Sequence, residues 1–119
     1  MKKLLIVDDQ QGIRLLLNEV FKREGHEPLL ASNGLEAIQI LENGAVDAVL
    51  LDMKIPGMNG LEILSYIKNL HKQLPVVMMT GNGDASLISK AKELGAQHFF
   101  MKPFDICEVK DTINKLLKE

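Results

Sequence analysis

The feature that most constrains this chain is a set of four short, nearly unbroken apolar runs: Leu4 to Val7, Ala48 to Leu51, Val76 to Met79 and His98 to Met101. Each is too short to be a helix that buries a stripe, and none alternates as a strand facing water on one side would. Such runs fit strands covered on both faces, which is the condition of a parallel sheet flanked by helices. Pro28 to Ala31 is a weaker fifth candidate.

The segments between these runs have helical period. Ile13, Leu16, Leu17, Val20 and Phe21 follow the i, i+3, i+4, i+7, i+8 rule, which predicts an amphipathic helix over residues 11 to 24, stopped by Gly25. Three later helices are predicted from an acceptor residue followed three places on by Glu, a pairing that can satisfy orphan amides reciprocally. The pairs are Asn33 with Glu36, Asn59 with Glu62, and Asp105 with Glu108. A further helix spans residues 85 to 94 and ends at Gly95. Strand then helix, repeated along a chain without a Pro/Gly/Ser-rich linker, predicts an α/β fold with right-handed crossovers, an open doubly wound parallel sheet. A length of 119 residues suffices for one core and not for two, so residues 1 to 119 are expected to form one domain.

Composition removes several functions. The net charge is -2, and the Lys and Arg residues are scattered, so there is no basic field for nucleic acid. The single cysteine, Cys107, cannot form an internal disulfide and is read as a packing residue in the first turn of the last helix. No apolar stretch approaches the length of a membrane span, and the opening residues are too short a run for a signal peptide, so a cytoplasmic address is expected. His26, His71 and His98 lack ligand spacing and are expected at the surface or at strand edges.

In open α/β sheets, ligands bind beyond the carboxyl ends of the strands. The residues there are Asp8 and Asp9 after the first run, Asp52 after the third, Thr80 after the fourth and Lys102 after the fifth. Any one of them alone would be a solvated surface group; their convergence carries the reading. Three carboxylates at one edge repel one another and call for a cation, and oxygen donors without His or Cys suit Mg²⁺. Asp52 is then available as a nucleophile that attacks phosphorus to give an acyl phosphate. Lys102 can pair with one phosphoryl oxygen and Thr80 can donate its hydroxyl to another, while Gly81 leaves room for backbone approach.

The segments I-V-D-D-Q at 6 to 10, L-L-D-M-K-I-P-G-M-N-G at 50 to 60, M-T-G at 79 to 81 and K-P-F at 102 to 104 resemble those of response-regulator receiver domains, and the likeness covers the whole chain. It implies a (βα)5 flavodoxin-like fold of strand order 2-1-3-4-5. It also implies that Asp52 is the phosphoacceptor, that Asp9, Asp52 and the backbone carbonyl of Lys54 bind Mg²⁺, and that Asp8 acts through water. Thr80 and Lys102 take the switch and phosphate-contact roles, and Lys102-Pro103 is a candidate cis peptide. The segments D-D-Q-Q-G-I-R at 8 to 14 and L-L-N-E-V-F at 16 to 21 are similar to those of family members that serve as phosphorelay intermediates in sporulation. Those members carry a histidine three places before the lysine of K-P-F, where this chain has Phe99, with His98 one place earlier. An aromatic residue there is the wider family's usual switch, so Thr80 and Phe99 are expected to couple. Gly81 and Asn82 replace bulkier neighbours that shape water access to the acyl phosphate.

The resemblance implies a monomer that catalyses its own phosphoryl transfer to and from Asp52, without turnover of a free substrate. The implied partners are a sensor histidine kinase and a histidine phosphotransferase, or, in a stand-alone switch, a target protein. Gln10, Gly12 and Arg14 are expected on the rim of the partner interface. Ile13 and Leu16 divide evenly between docking and core packing, and Leu15 is the exposed outlier. Two other functions meet obstacles. A phosphatase of the haloacid dehalogenase type needs an acid two places after its nucleophile, where Lys54 stands. A nucleotide or flavin binder would need a glycine-rich phosphate cradle and stacking aromatics, but the chain has no Trp and only Tyr66 as tyrosine.

Overall fold

A computed structural model describes residues 2–55, 59–81 and 85–118. Pro56, Gly57 and Met58 of the longest motif, and Asn82, lie outside the described residues. The elements in chain order are β1 (Lys3–Val7), α1 (Gln11–Arg23), β2 (Glu27–Ala31), α2 (Gly34–Asn43), β3 (Ala48–Asp52), α3 (Gly60–Leu70), β4 (Val76–Thr80), α4 (Ala85–Glu93), β5 (His98–Met101) and α5 (Ile106–Leu117). The strands form one sheet of order β2-β1-β3-β4-β5, and every pairing is parallel. This is the doubly wound arrangement and strand order expected from the sequence. The chain reverses its direction of travel between β1 and β3, so the topological switch point lies between those strands.

Both faces of the sheet are covered, which explains the unbroken apolarity of the central strands. Leu4, Ile6, Ala48, Leu50, Val77 and Met79 pack with Leu17 and Phe21 of α1 and with Val109, Ile113 and Leu117 of α5. Leu5, Val7, Val49, Leu51 and Met78 face the other way, onto Ala37 and Leu41 of α2, Ile63, Leu64 and Ile67 of α3, and Ala91 of α4. Each fully buried Leu or Ile contributes about 2 kcal/mol relative to exposure. At the edge, β2 buries only Ala31 fully, and it tolerates Pro28 because an edge strand can spare an amide.

Helix ends follow the predicted signals with two changes. Asn33 and Asn59 each accept from the amide three residues on, at 2.9 Å from Glu36 and 3.0 Å from Glu62. The Glu36 carboxylate, however, accepts from the amide and hydroxyl of Ser32, both at 2.6 Å, one residue before the expected partner. Asp105 caps the amide of Cys107 at 2.8 Å and not that of Glu108. Gly25 and Gly95 terminate α1 and α4 with φ of 85° and 104°, a region that side chains with a Cβ rarely enter.

Two further expectations change. Cys107 is exposed, because α5 buries Val109, Ile113 and Leu117 and Cys107 lies about 200° around the helix from Val109. β5, whose apolar run predicted burial on both faces, is instead the second edge strand, with His98 and Met101 exposed and Phe99 and Phe100 half-buried. His26 stands beside edge strand β2, half-buried, with Nε2 at 2.7 Å from Asn114 Oδ1 on α5. His71 and His98 are exposed as expected. Among the described residues, no helix is long and apolar enough to cross a membrane.

Candidate functional site

The strand register delivers the acids and the lysine to one edge. Val7 pairs with Leu51, so Asp8 stands one step beyond β1 beside Asp52 at the end of β3. Asp52 pairs with Met79, and Thr80 pairs with Met101, so Lys102 follows immediately. Ladder bonds continue past the strand ends: Met53 N–H donates to Met79 O at 2.8 Å and Lys102 N–H to Thr80 O at 2.7 Å. Asp52 and Thr80 are thus the last residues of their strands, which run one position further than the sequence suggested. Side-chain alternation adds a second convergence. Asp8, Asp52 and Lys102 continue the parity of Ile6, Leu50 and Phe100, the residues that face α1 and α5.

Among the described residues, the buried polar side chains are Asp8, Asp52 and Thr80, and all three stand at this edge. A carboxylate removed from water costs several kcal/mol unless it is paired. The pairing comes from the Lys102 ammonium, which donates to Asp8 Oδ2 at 2.7 Å and to Asp52 Oδ2 at 3.0 Å. It also donates to Gln10 Oε1 at 3.1 Å. The second oxygens are held by backbone: Gln10 N–H donates to Asp8 Oδ1 at 2.9 Å and Lys54 N–H to Asp52 Oδ1 at 3.1 Å. Arg14 fixes the same turn by donating from Nη1 to Asp8 O at 2.7 Å.

Burial raises the Asp52 carboxyl above the usual aspartate range; the Lys54 amide and the Lys102 ammonium oppose the rise, and the Asp8 charge adds to it. Burial would lower the Lys102 ammonium, but hydrogen bonds and charge from Asp8 and Asp52 outweigh it and leave the group raised. Lys102 is therefore held as a cation between two acids, one of which is a reluctant anion.

Asp8, Asp9 and Asp52 each present an oxygen within 4.8 Å of the others, with Asp9 exposed and the other two buried. This all-oxygen set, open to solvent through Asp9, fits a hard divalent cation. A bound cation and the Lys102 ammonium would neutralise the same charges.

Five sequence-predicted residues, Asp8, Asp9, Asp52, Thr80 and Lys102, meet at the edge, and Lys54 joins them through its amide. Phe99, the proposed switch aromatic, is half-buried against the α2–α4 face of the core, with Lys92 Nζ 5.7 Å from its ring centroid. Of the rim residues on α1, Ile13 is half-buried and packs against the α1/α5 core. Leu16 is 49% exposed and belongs to the surface with Leu15 at 55%. Gly12 is exposed with nothing near its Cα that a side chain would meet. Lys102-Pro103 is cis, as the resemblance implied. The sequence reading missed the contact of the Gln10 side chain with Lys102; no local pattern links residues so far apart.

The family described as "Response regulator receiver domain" matches residues 4–114. The chain is 52% identical over 116 residues to Sporulation initiation phosphotransferase F of Bacillus subtilis, covering 98% of this chain and 94% of that protein. It is 35% identical over 116 residues to Transcriptional regulatory protein SrrA of Staphylococcus aureus, covering 98% of this chain and 48% of that protein. Among solved structures, a CheY-like response regulator receiver domain protein from Methanospirillum hungatei superposes with a TM-score of 0.95 at 28% identity, covering 98% of this chain and 94% of that one. A response regulator receiver domain protein from Clostridium thermocellum gives 0.91 at 29% identity over 98% of this chain and 94% of that one.

Proposed function

The chain belongs to the response regulator receiver domain family, and on that premise we propose that it works as a phosphorelay carrier whose Asp52 takes a phosphoryl group from a phosphohistidine. The observation that carries the reading is the Lys102 ammonium bridging Asp8 and Asp52 beside a third acid, Asp9. An Asp52 oxygen attacks phosphorus, the P–N bond of the donor breaks, and its electron pair returns to the imidazole. Lys102 turns an N–H toward a phosphoryl oxygen while Asp8 keeps its hold on the ammonium. Thr80 donates its hydroxyl to another phosphoryl oxygen, and Phe99 links that event to the α4–β5 face. Asp9, Asp52 and the carbonyl of Lys54 would hold Mg²⁺, with Asp8 contributing through water. When bound, that ion supplies charge neutralisation for the phosphoryl oxygens.

Run in reverse, the same chemistry passes the group to a histidine phosphotransferase. The likeness to a protein named a phosphotransferase supports this direction over a stand-alone switch. Gln10, Gly12, Arg14 and Leu16 form the rim on which a kinase or phosphotransferase docks, and Leu15 and Leu16 offer its apolar surface. The protein acts on itself and turns over no free substrate.

The experiment incubates the protein with Mg²⁺ and a sensor histidine kinase carrying a radiolabelled phosphoryl group. Label is expected on the native chain and not on Asp52→Ala, and EDTA is expected to stop the transfer. Adding a histidine phosphotransferase should then draw the label off; retention on the chain would favour the stand-alone switch. Label persisting on Asp52→Ala would sink the assignment.

A further inference from the structure

We infer that Gln10 is a positioning residue for phosphoryl transfer, its carboxamide oxygen holding the third N–H of the Lys102 ammonium beside Asp52. The inference rests on Asp52 being the acceptor. A lysine ammonium has three donors on a flexible stem. Here each donor has its own acceptor: Asp8 Oδ2 at 2.7 Å, Asp52 Oδ2 at 3.0 Å and Gln10 Oε1 at 3.1 Å. Two carboxylates alone leave the group free to roll about the line between them; the third acceptor fixes its rotation.

The way Gln10 is used at its own helix end is an independent observation. It is the N-cap of α1, with the extended backbone of such a position at φ -85° and ψ 115°, yet its side chain makes no capping bond. At α2, α3 and α5 the residue in the same place, Asn33, Asn59 or Asp105, does cap its helix. A glutamine is a poor choice for capping, and a residue that breaks a local rule marks a functional position more often than a structural one. Its main chain is clamped to the site as well, through Gln10 N–H to Asp8 Oδ1 at 2.9 Å. The side chain leaves the helix end and reaches a lysine 92 positions away.

During transfer, an Asp52 oxygen bonds to phosphorus, the donor's bond to phosphorus breaks, and the leaving group takes the electron pair. Lys102 must keep Asp8 and meet a new phosphoryl oxygen in the same interval. With Gln10 in place the ammonium turns from a defined starting orientation, and without it the productive orientation is one of several.

The test uses acetyl phosphate with Mg²⁺ and no protein partner, so that docking by Gln10 cannot contribute. The expelled group is then acetate. Gln10→Met, which keeps the length and loses the acceptor, is expected to react about tenfold more slowly than the native chain. Gln10→Glu keeps an acceptor and should recover most of the rate. Gln10→Ser, a better cap that cannot reach Lys102, should be as slow as Gln10→Met while its melting temperature holds or rises, a split that a structural role would not give. A second readout needs no phosphoryl group: the ¹⁵N-edited NMR signal of the Lys102 ammonium, protected in the native chain, should broaden by faster proton exchange in Gln10→Met. A native chain that takes no phosphoryl group overturns the reading of Asp52 and this inference with it. A phosphorylated native chain alongside a Gln10→Met variant of equal or greater rate overturns this inference alone.

Discussion

The two edges of the sheet differ in a way that volume alone would misjudge. At the amino-terminal edge, Leu41, Val46, His71, Leu74 and Pro75 line a groove of about 420 Å³, large enough for a small molecule. Its polar side chains, Asp47, His71, Lys72 and Gln73, are exposed, and Asp47 is taken up by the backbone amide of Lys3 at 2.7 Å. The carboxyl-terminal edge instead gathers the buried polar side chains of the described residues, with one ammonium shared between two of them. Chemistry is placed where groups converge and are desolvated together, because only there does each charge feel the others strongly. The groove lies between the two helix-to-strand connections, residues 44–47 and 71–75.

The sharpest way to break this contrast is to remove the shared cation. Lys102→Ala leaves two buried acids without their ammonium and is expected to cost about 3 kcal/mol of stability in urea unfolding without divalent ions. Added Mg²⁺ should restore part of that loss, since it neutralises the same oxygens. A loss that Mg²⁺ leaves untouched would mean that the acids do not form a cation site.

The next effect is steric. A Cβ on Gly60 would lie 2.5 Å from Met53 Cα and 2.9 Å from Asp52 O, all of it backbone that cannot swing aside. Gly60→Ala is therefore expected to cost about 2 kcal/mol and to disturb the turn that carries Asp52. Thermal unfolding together with the phosphorylation rate would show both effects; a variant unchanged in either would mean that this turn yields easily.

Asp52→Asn works in the opposite direction. The folded pKa of Asp52 lies above that of an unfolded aspartate, so the folded chain holds this proton more tightly than the unfolded one. Its contribution to stability is present at low pH, below the unfolded value of about 3.9, and is lost as pH rises through the folded value. At neutral pH, without divalent ions, Asp52→Asn should thus be the more stable protein, and the gain should shrink as pH falls toward about 4. Mg²⁺ should reverse the order by binding the native acid set more tightly. The smallest effect belongs to the groove: His71→Ala is expected to change stability by less than about 0.5 kcal/mol and to leave the phosphorylation rate unaltered.

Much of this was legible in the chain itself, for identifiable reasons. β1, β3 and β4 were readable almost to the residue because burial on both faces makes them apolar throughout, whereas β2 was weak because an edge strand is only half covered, and β5 was misread as buried because its apolar run sits at the opposite edge. The site was readable because each of its residues stands at a strand end, where topology fixes the destination. Side-chain direction was harder. The run Leu15-Leu16-Leu17 does not reveal where the buried stripe of α1 stops, and packing against α5 places Leu17 inside and Leu16 at 49% exposure. Cys107 could have been placed correctly from its angle to Val109, because helical geometry alone puts it opposite the buried face. The Gln10 contact could not, since it depends on where a lysine on another strand comes to rest.

The account turns on whether Asp52 is where phosphorus is bonded, and the most direct measurement is peptide mass mapping of the intact protein after reaction with acetyl phosphate and Mg²⁺. One phosphoryl group is expected, on the peptide that contains Asp52, and none when EDTA replaces the metal. A phosphoryl group found on any other peptide, or incorporation that EDTA does not reduce, would contradict it.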